Sequence, residues 1–416
     1  MSKMVIESAF RMEGNDPIFG VAAEAKKRIA EIGAEAVTNS TLGALMDDDG
    51  ALVTFKSVYD VFKGQSNADI AAYAPIAGVP GFLDKVTDAC FKNHRPKGFI
   101  RANATPGGTG AIRTAVVNYS ELGDKVLVPD WHWAPYGTIA DENKRRIQTF
   151  PLFDETGSFN MPSYQEAFLT LLKEQGRVLS ILNTPAHNPT GYSITDEEWK
   201  TLVAFYTETA LKNPDAKLII LCDIAYIDFA GRGDSARHFM DLLCDMPENV
   251  LPLYAFSASK GFTMYGLRNG AIICVAPTEE IADEFARSCA YSSRGTWSNG
   301  TKGAQEALTK ILSDEQLLKA FENEQLYYRE ILQQRAAAFI ESAKKVGLEM
   351  CEYHDGFFIS MPCENAKTVG EELMKDNIFL VALKKGLRFA PCAVSLEKCA
   401  AAPKYIKAAM DRINNK

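Results

Sequence analysis

The sequence predicts an α/β fold: a three-layer domain with a mainly parallel sheet, joined to a smaller α+β domain. Three observations carry this. Between about residues 51 and 310, short apolar runs alternate with helical patterns, as expected for a largely parallel sheet covered on both faces. From about residue 315 the pattern changes to one long helical stretch, then short strands and a last helix. The chain has 416 residues, long for one hydrophobic core, so two lobes are expected.

In chain order, residues 1–15 read as an arm. A helix is expected to start near Asp16-Pro17-Ile18 and to run through the mixed-charge, apolar-spaced segment Val21 to Ile32. Thr38 to Gly50 has turn character, with Asp47-Asp48-Asp49-Gly50 as a solvated loop. Strands are expected at Lys125 to Pro129, Val178 to Asn183, Lys217 to Asp223, Leu251 to Ser257 and Gly270 to Val275. Helices are expected at Gly108 to Ser120, Asp196 to Leu211 and Ala282 to Cys289. A long helix over Asp314 to Gly347 precedes strands at Phe357 to Met361, Leu380 to Leu383 and Leu387 to Ala390, and a final helix covers Ser395 to Ile413. The expected division is a large domain over 51–314 and a small domain from 16–50 plus 315–416.

Composition is that of a globular enzyme, 47% hydrophobic and 24% charged. With 45 basic and 53 acidic residues the net charge is -8, and no basic block stands out, so neither nucleic acid nor an anionic membrane is an expected partner. No apolar run approaches the roughly 20 residues that span a bilayer, and a cytoplasmic protein is expected. Nine scattered cysteines without a Cys-x-x-Cys pair suggest no disulfide framework and no metal site.

The chemistry concentrates in Phe256-Ser257-Ala258-Ser259-Lys260-Gly261-Phe262-Thr263-Met264-Tyr265-Gly266-Leu267-Arg268, which sets an amine, hydroxyls and a guanidinium between two apolar runs. An amine that attacks a carbonyl must be held partly neutral by desolvation or a nearby cation. Thr105-Pro106-Gly107-Gly108-Thr109-Gly110 joins a loop to a helix, where glycines let backbone N–H groups approach an anion. It matches neither a nucleotide P-loop nor the dinucleotide glycine pattern. Asn183-Thr184-Pro185-Ala186-His187-Asn188-Pro189-Thr190-Gly191 follows an apolar strand, so its side chains are expected at the sheet's carboxyl edge. Asp223 ends another such strand, where a buried carboxylate needs a cationic partner: a pyridinium N–H or an internal arginine.

These four segments, in this order and spacing, resemble the class I aminotransferases, fold-type I pyridoxal-phosphate enzymes that include aspartate and aromatic amino acid aminotransferases. The resemblance runs from Asp16-Pro17-Ile18 to about Arg388. It implies that Lys260 is the Schiff-base lysine and proton carrier, and that Asp223 pairs with the pyridinium nitrogen. Asn188 and Tyr226 would bind the cofactor's phenolic oxygen. Trp133 would stack on the ring, with Trp131 as the competing register. Gly108, Thr109, Ser257 and Arg268 would form the phosphate cup, and Tyr73 would reach the phosphate of a neighbouring subunit in a homodimer. Arg388 would grip the substrate α-carboxylate, with Gly43, Asn188 and Trp133 also facing the substrate.

The resemblance departs at the arginine expected to bind a distal carboxylate. The aligned position is Ser288, with Arg287 and Arg294 nearby, and a one-residue shift on a helix turns a side chain by about 100°. Trp131, Trp133, Tyr136, Trp297 and Phe357 are compatible with an aromatic donor. The donor therefore stays open between an aromatic or broad amino acid and aspartate, with a 2-oxo acid such as 2-oxoglutarate as acceptor. A β-lyase using the same cofactor, and a cofactor-binding regulator, are the alternatives to transamination.

Overall fold

The computed structural model describes residues 4–6, 9–10, 17–231 and 233–414. Residues 1–3, 7–8 and 11–15 of the expected arm, and Asp16, lie outside these. Among the described residues there are eleven strands: β1 (Thr38–Ser40), β2 (Phe99–Pro106), β3 (Lys125–Pro129), β4 (Arg146–Phe150), β5 (Arg177–Asn183), β6 (Lys217–Asp223), β7 (Val250–Ser257), β8 (Asn269–Ala276), β9 (Ile359–Pro362), β10 (Ile378–Ala382) and β11 (Gly386–Phe389). They form a seven-stranded sheet in the order β2-β8-β7-β6-β5-β3-β4 and a four-stranded sheet in the order β1-β10-β11-β9.

In the larger sheet only β8 runs against its neighbours, pairing antiparallel with both β2 and β7, while the pairs from β7 to β4 are parallel. Central strands of such a sheet are covered on both faces, and every residue of β7 and β8 is buried. One face carries a core in which Ala111, Ile112, Ala115 and Val116 of the helix Gly107–Tyr119 meet Leu179, Ile181, Ile219, Leu221 and Leu253 of the sheet. Toward the helices Met161–Gln175 and Asp196–Lys212, Tyr164, Phe168, Phe205 and Tyr206 form an aromatic cluster, and the Tyr164 hydroxyl donates to Ser180 Oγ of β5 at 3.0 Å.

Local sequence fixes the helix ends. Thr195 and Glu198 form a capping box under an acidic first turn at the helix Asp196–Lys212. Gly176, at φ 68, closes the helix Met161–Gln175. The helix Glu279–Thr296 is longer than the expected Ala282 to Cys289, because Thr278 caps it early and its polar second half still carries buried Cys289 and Ser293.

The chain separates into two compact units. One comprises Leu52–Gln334 and Met350–Ile359; the other comprises the described residues up to Ala51, Arg335–Glu349 and those from Ser360 onward. The division at Gln334 lies inside the helix Glu315–Val346, so no composition change marks it. In the smaller unit, Thr38–Ser40 forms β1, parallel to β10, where turn character was expected. Its three polar residues carry no apolar signal, and pairing with Ile378–Leu380 supplies what propensity does not. None of the nine cysteines forms a disulfide; eight are buried and Cys244 is half-buried.

Within the larger unit, Arg237, only 1% exposed, pairs with Asp228 at 2.8 Å and donates to Cys90 O at 2.8 Å. Asp228 in turn occupies the space a side chain on Gly261 would need, immediately after Lys260. Truncating the arginine strands a carboxylate whose side chain is only 10% exposed. Arg237→Ala should therefore lower the unfolding free energy by about 3–5 kcal/mol in a denaturant titration.

Candidate active site

The residues with unusual chemistry meet because of how the strands end. β5, β6 and β7 are in register at their carboxyl ends, with Asn183 opposite Asp223 and Asp223 opposite Ala255. β7 then gives way to the short helix Ala258–Gly261, which carries Lys260. Because β8 is reversed, it begins where β7 ends: Ser257 pairs with Gly270, and Asn269 lies opposite Pro106 at the end of β2. Arg268, eight residues after Lys260, is thus returned to the same edge, at the N-terminus of the helix Gly107–Tyr119. This is the carboxyl edge where ligands bind in open α/β sheets.

A cavity of about 240 Å³ opens there, lined by Gly108, Thr109, Ile112, Trp133, Asn183, Asn188, Asp223, Ala225, Tyr226, Ser257, Ser259, Lys260 and Arg268. Asn188 Nδ2 donates to Tyr226 Oη at 3.2 Å, and Asn188 N donates to Asn183 Oδ1 at 2.6 Å. Asn183 Nδ2 donates to Asp223 O at 2.8 Å, closing the chain of contacts onto β6. Asp223 is 5% exposed. Its Oδ2 accepts from Tyr136 Oη at 2.6 Å and its Oδ1 from Ala225 N at 3.2 Å. Burial raises the Asp223 pKa above the usual carboxylate value, and Tyr136, the Ala225 amide and the Lys260 charge oppose that rise. Lys260 Nζ lies 5.0 Å from the Tyr265 ring centre and 5.8 Å from that of Tyr226.

Arg268 Nη1 donates to Tyr265 O at 2.8 Å and to Ser259 Oγ at 3.3 Å, aiming the guanidinium at the helix start. Gly107 has φ +69, and a side chain there would come within 2.8 Å of Arg268 Nη2; one on Gly108 would come within 3.3 Å of Ser257 Cβ. Position 107 needs glycine for its backbone as well as its space, while a side chain at 108 would press on Ser257. The result is a cradle of backbone N–H groups, hydroxyls and a guanidinium at a helix N-terminus, a donor set suited to a phosphate dianion.

Residues 39–406 match the family model for aminotransferase class I and II. The chain belongs to that family. An aminotransferase of Anaerococcus prevotii, solved as a crystal structure, is 38% identical with a TM-score of 0.96, covering 99% of this chain and 100% of its own. Tyrosine aminotransferase of Rhizobium meliloti (strain 1021) is 27% identical over 294 residues, 68% of this chain and 70% of the relative. Aspartate aminotransferase of Escherichia coli (strain K12) is 25% identical over 345 residues, 80% and 82% of the two chains. An aromatic-amino-acid aminotransferase of Burkholderia pseudomallei, solved covalently bound to pyridoxal phosphate, shares the fold at a TM-score of 0.77 and 21% identity, over 98% of this chain and 100% of that one.

This class I and II aminotransferase is a pyridoxal-phosphate-dependent transferase of amino groups. Its cavity fits that cofactor: an anion cradle that side chains on Gly107 and Gly108 would fill, a lysine amine, and a buried carboxylate suited to a cationic ring nitrogen. Lys260, Asp223, Tyr226, Asn188, Trp133, Gly108, Thr109, Ser257 and Arg268 all line it. Trp133 is the tryptophan at the cavity, whereas Trp131 is buried. Tyr73 does not line it and is 89% exposed. Arg388 and Gly43 belong to the smaller unit, where buried Arg388 donates from Nη2 to Thr41 O at 2.8 Å. Arg287 and Arg294 lie exposed on the helix Glu279–Thr296.

Sequence reasoning gave no role to Asn183, Ile112 or Ser259. Asn183 was readable as the last residue of an apolar strand, the same signal that marks Asp223. Ile112, one turn into the glycine-started helix, carries no signal beyond the helix's apolar spacing. Gly107→Ala should weaken pyridoxal phosphate binding by at least about tenfold, since it strains the backbone and displaces one arm of the Arg268 fork. Fluorescence titration of the apoprotein measures it, and a smaller change would contradict the cradle.

Proposed function

We propose that this enzyme moves the amino group of an aromatic or broad-range L-amino acid to a 2-oxo acid such as 2-oxoglutarate in a ping-pong cycle, with aspartate as the alternative donor. The observation that carries the reading is the one cavity in which Lys260, Asp223 and the Gly108–Arg268 cradle converge. Bound pyridoxal phosphate would supply an exchangeable carbonyl and an electron-withdrawing ring.

The protein's own groups divide the remaining work. Gly108, Thr109, Ser257 and Arg268 would hold the phosphate. Trp133, which lines the cavity, would offer its indole face to the bound ring. Asp223, kept as an acceptor by its two hydrogen bonds, stabilises a proton on the ring nitrogen. Asn188 and Tyr226, tied together by their 3.2 Å contact, orient the phenolic oxygen. Lys260 Nζ would take the proton from the substrate α-carbon and deliver it to C4′ of the bound cofactor, so that the amine starts and ends the step in the same protonation state. Buried apolar neighbours limit competing water: Phe357 and Phe358 stand with ring centres 5.4 and 5.7 Å from that of Tyr226.

Arg388 is assigned the substrate α-carboxylate, because a guanidinium fork binds a carboxylate bidentately, and Gly43 is assigned to the substrate with it. A homodimer is part of the proposal, with Tyr73, nearly fully exposed in the single chain, offered to the neighbouring phosphate. Light scattering of the purified protein tests it.

The decisive experiment adds amino acids singly to the holoenzyme, without any oxo acid, and follows the absorption spectrum. Conversion from the aldehyde to the amine form, reversed by 2-oxoglutarate, is expected, with aromatic donors ahead of aspartate. Lys260→Ala should slow that conversion by more than about a hundredfold. Ammonia release with the aldehyde form restored would replace transamination by β-elimination.

A further inference from the structure

Tyr136 is not among the residues that line the cavity, yet it touches two that are. Its hydroxyl donates to Asp223 Oδ2 at 2.6 Å, and its ring is perpendicular to Trp133, at 86° with centres 5.5 Å apart. It is 2% exposed, in the helix Pro135–Glu142 that follows the Trp133 loop. We propose that Tyr136 is a positioning residue of the cofactor site, whose phenol holds Asp223 as an ionised, oriented acceptor for the ring nitrogen. The inference rests on the reading that pyridoxal phosphate binds with that nitrogen at Asp223.

The carboxylate has two oxygens with two acceptor positions each. Tyr136 takes one on Oδ2 and the Ala225 amide one on Oδ1. Each oxygen keeps a further acceptor position for a cationic N–H, while rotation of the carboxylate is blocked from both sides. The proton stays on the phenol: burial and the Asp223 charge both push the Tyr136 pKa well above its ordinary value. Tyr136 is therefore the donor and Asp223 the acceptor. Without the hydroxyl, only the Ala225 amide and the Lys260 charge would oppose burial, and the balance would shift toward a protonated Asp223, which cannot stabilise a ring proton.

A merely structural tyrosine would affect any cofactor equally; one acting through Asp223 affects only a cofactor with a ring nitrogen. The test compares apo wild type with Tyr136→Phe, which keeps the ring and its packing. Dissociation constants are measured for pyridoxal phosphate and for its 1-deaza analogue, which has carbon in place of the ring nitrogen. Loss of a hydrogen bond to a charged group predicts that the variant binds pyridoxal phosphate at least about tenfold more weakly. For the deaza analogue the two proteins should agree within about twofold.

In an Asp223→Asn background, where loss of the hydroxyl leaves no unpaired charge, Tyr136→Phe should change the pyridoxal phosphate affinity by less than about twofold. Equal losses for both cofactors, or no loss for pyridoxal phosphate, would overturn the assignment while leaving the aminotransferase reading intact. A wild type that takes no pyridoxal phosphate through Lys260 would overturn that reading and the assignment with it.

Discussion

A negative charge held inside the protein is the constraint around which this site is built. Asp223 closes an apolar strand and is almost inaccessible to water, a position where an ionised carboxylate is costly without partners. The chain meets this cost locally, with a phenol from one side and a backbone amide two residues on. Those contacts take one acceptor position on each oxygen but bring no positive charge. Lys260 contributes charge from within the same cavity, and the remaining electrostatic demand is what a cationic ring nitrogen meets. Binding site and fold are therefore coupled: the strand that makes the core also places the acceptor.

The second organising feature is the reversal of β8. Had β8 run parallel with β7, the chain would have needed a crossover across one face, and Arg268 would have begun its strand at the opposite edge. The reversal lets a short excursion after Ser257 present Lys260 and come back to the helix Gly107–Tyr119. Glycines at 107 and 108 then allow Arg268 and Ser257 to close on the helix start.

The sequence was most legible where burial is symmetrical. β5, β6 and β7 are central strands, and their continuous apolar runs ending in Asn183, Asp223 and Ser257 could be read directly. β2 and β4, at the two edges, were not expected as strands. Arg101 interrupts the first, and Arg146, Gln148 and Thr149 the second, because an edge strand tolerates polar side chains; Asn103, also in the first, is buried and donates to Ser293 Oγ at 2.9 Å. The cofactor residues were legible because each lies in a short motif at a strand end. Contacts that depend on packing were not: Tyr136 and Asp223 are 87 positions apart, and nothing local to either announces the hydrogen bond. Tyr136 read only as one more aromatic residue near the ring.

The absence of disulfides has a consequence of its own. Burial pushes the Cys90, Cys222, Cys289 and Cys399 thiols far up and that of Cys274 up to about 12, so in the folded protein they are neither accessible nor ionised. Half-buried Cys244 is the most accessible of the nine. An alkylating reagent applied to the native enzyme would therefore mark Cys244 first, and any further label would record how often the interior opens. The eight buried cysteines amount to a set of internal clocks for breathing of the two units, seven of them clear of the cavity's strand ends and Cys222 seated directly beside Asp223.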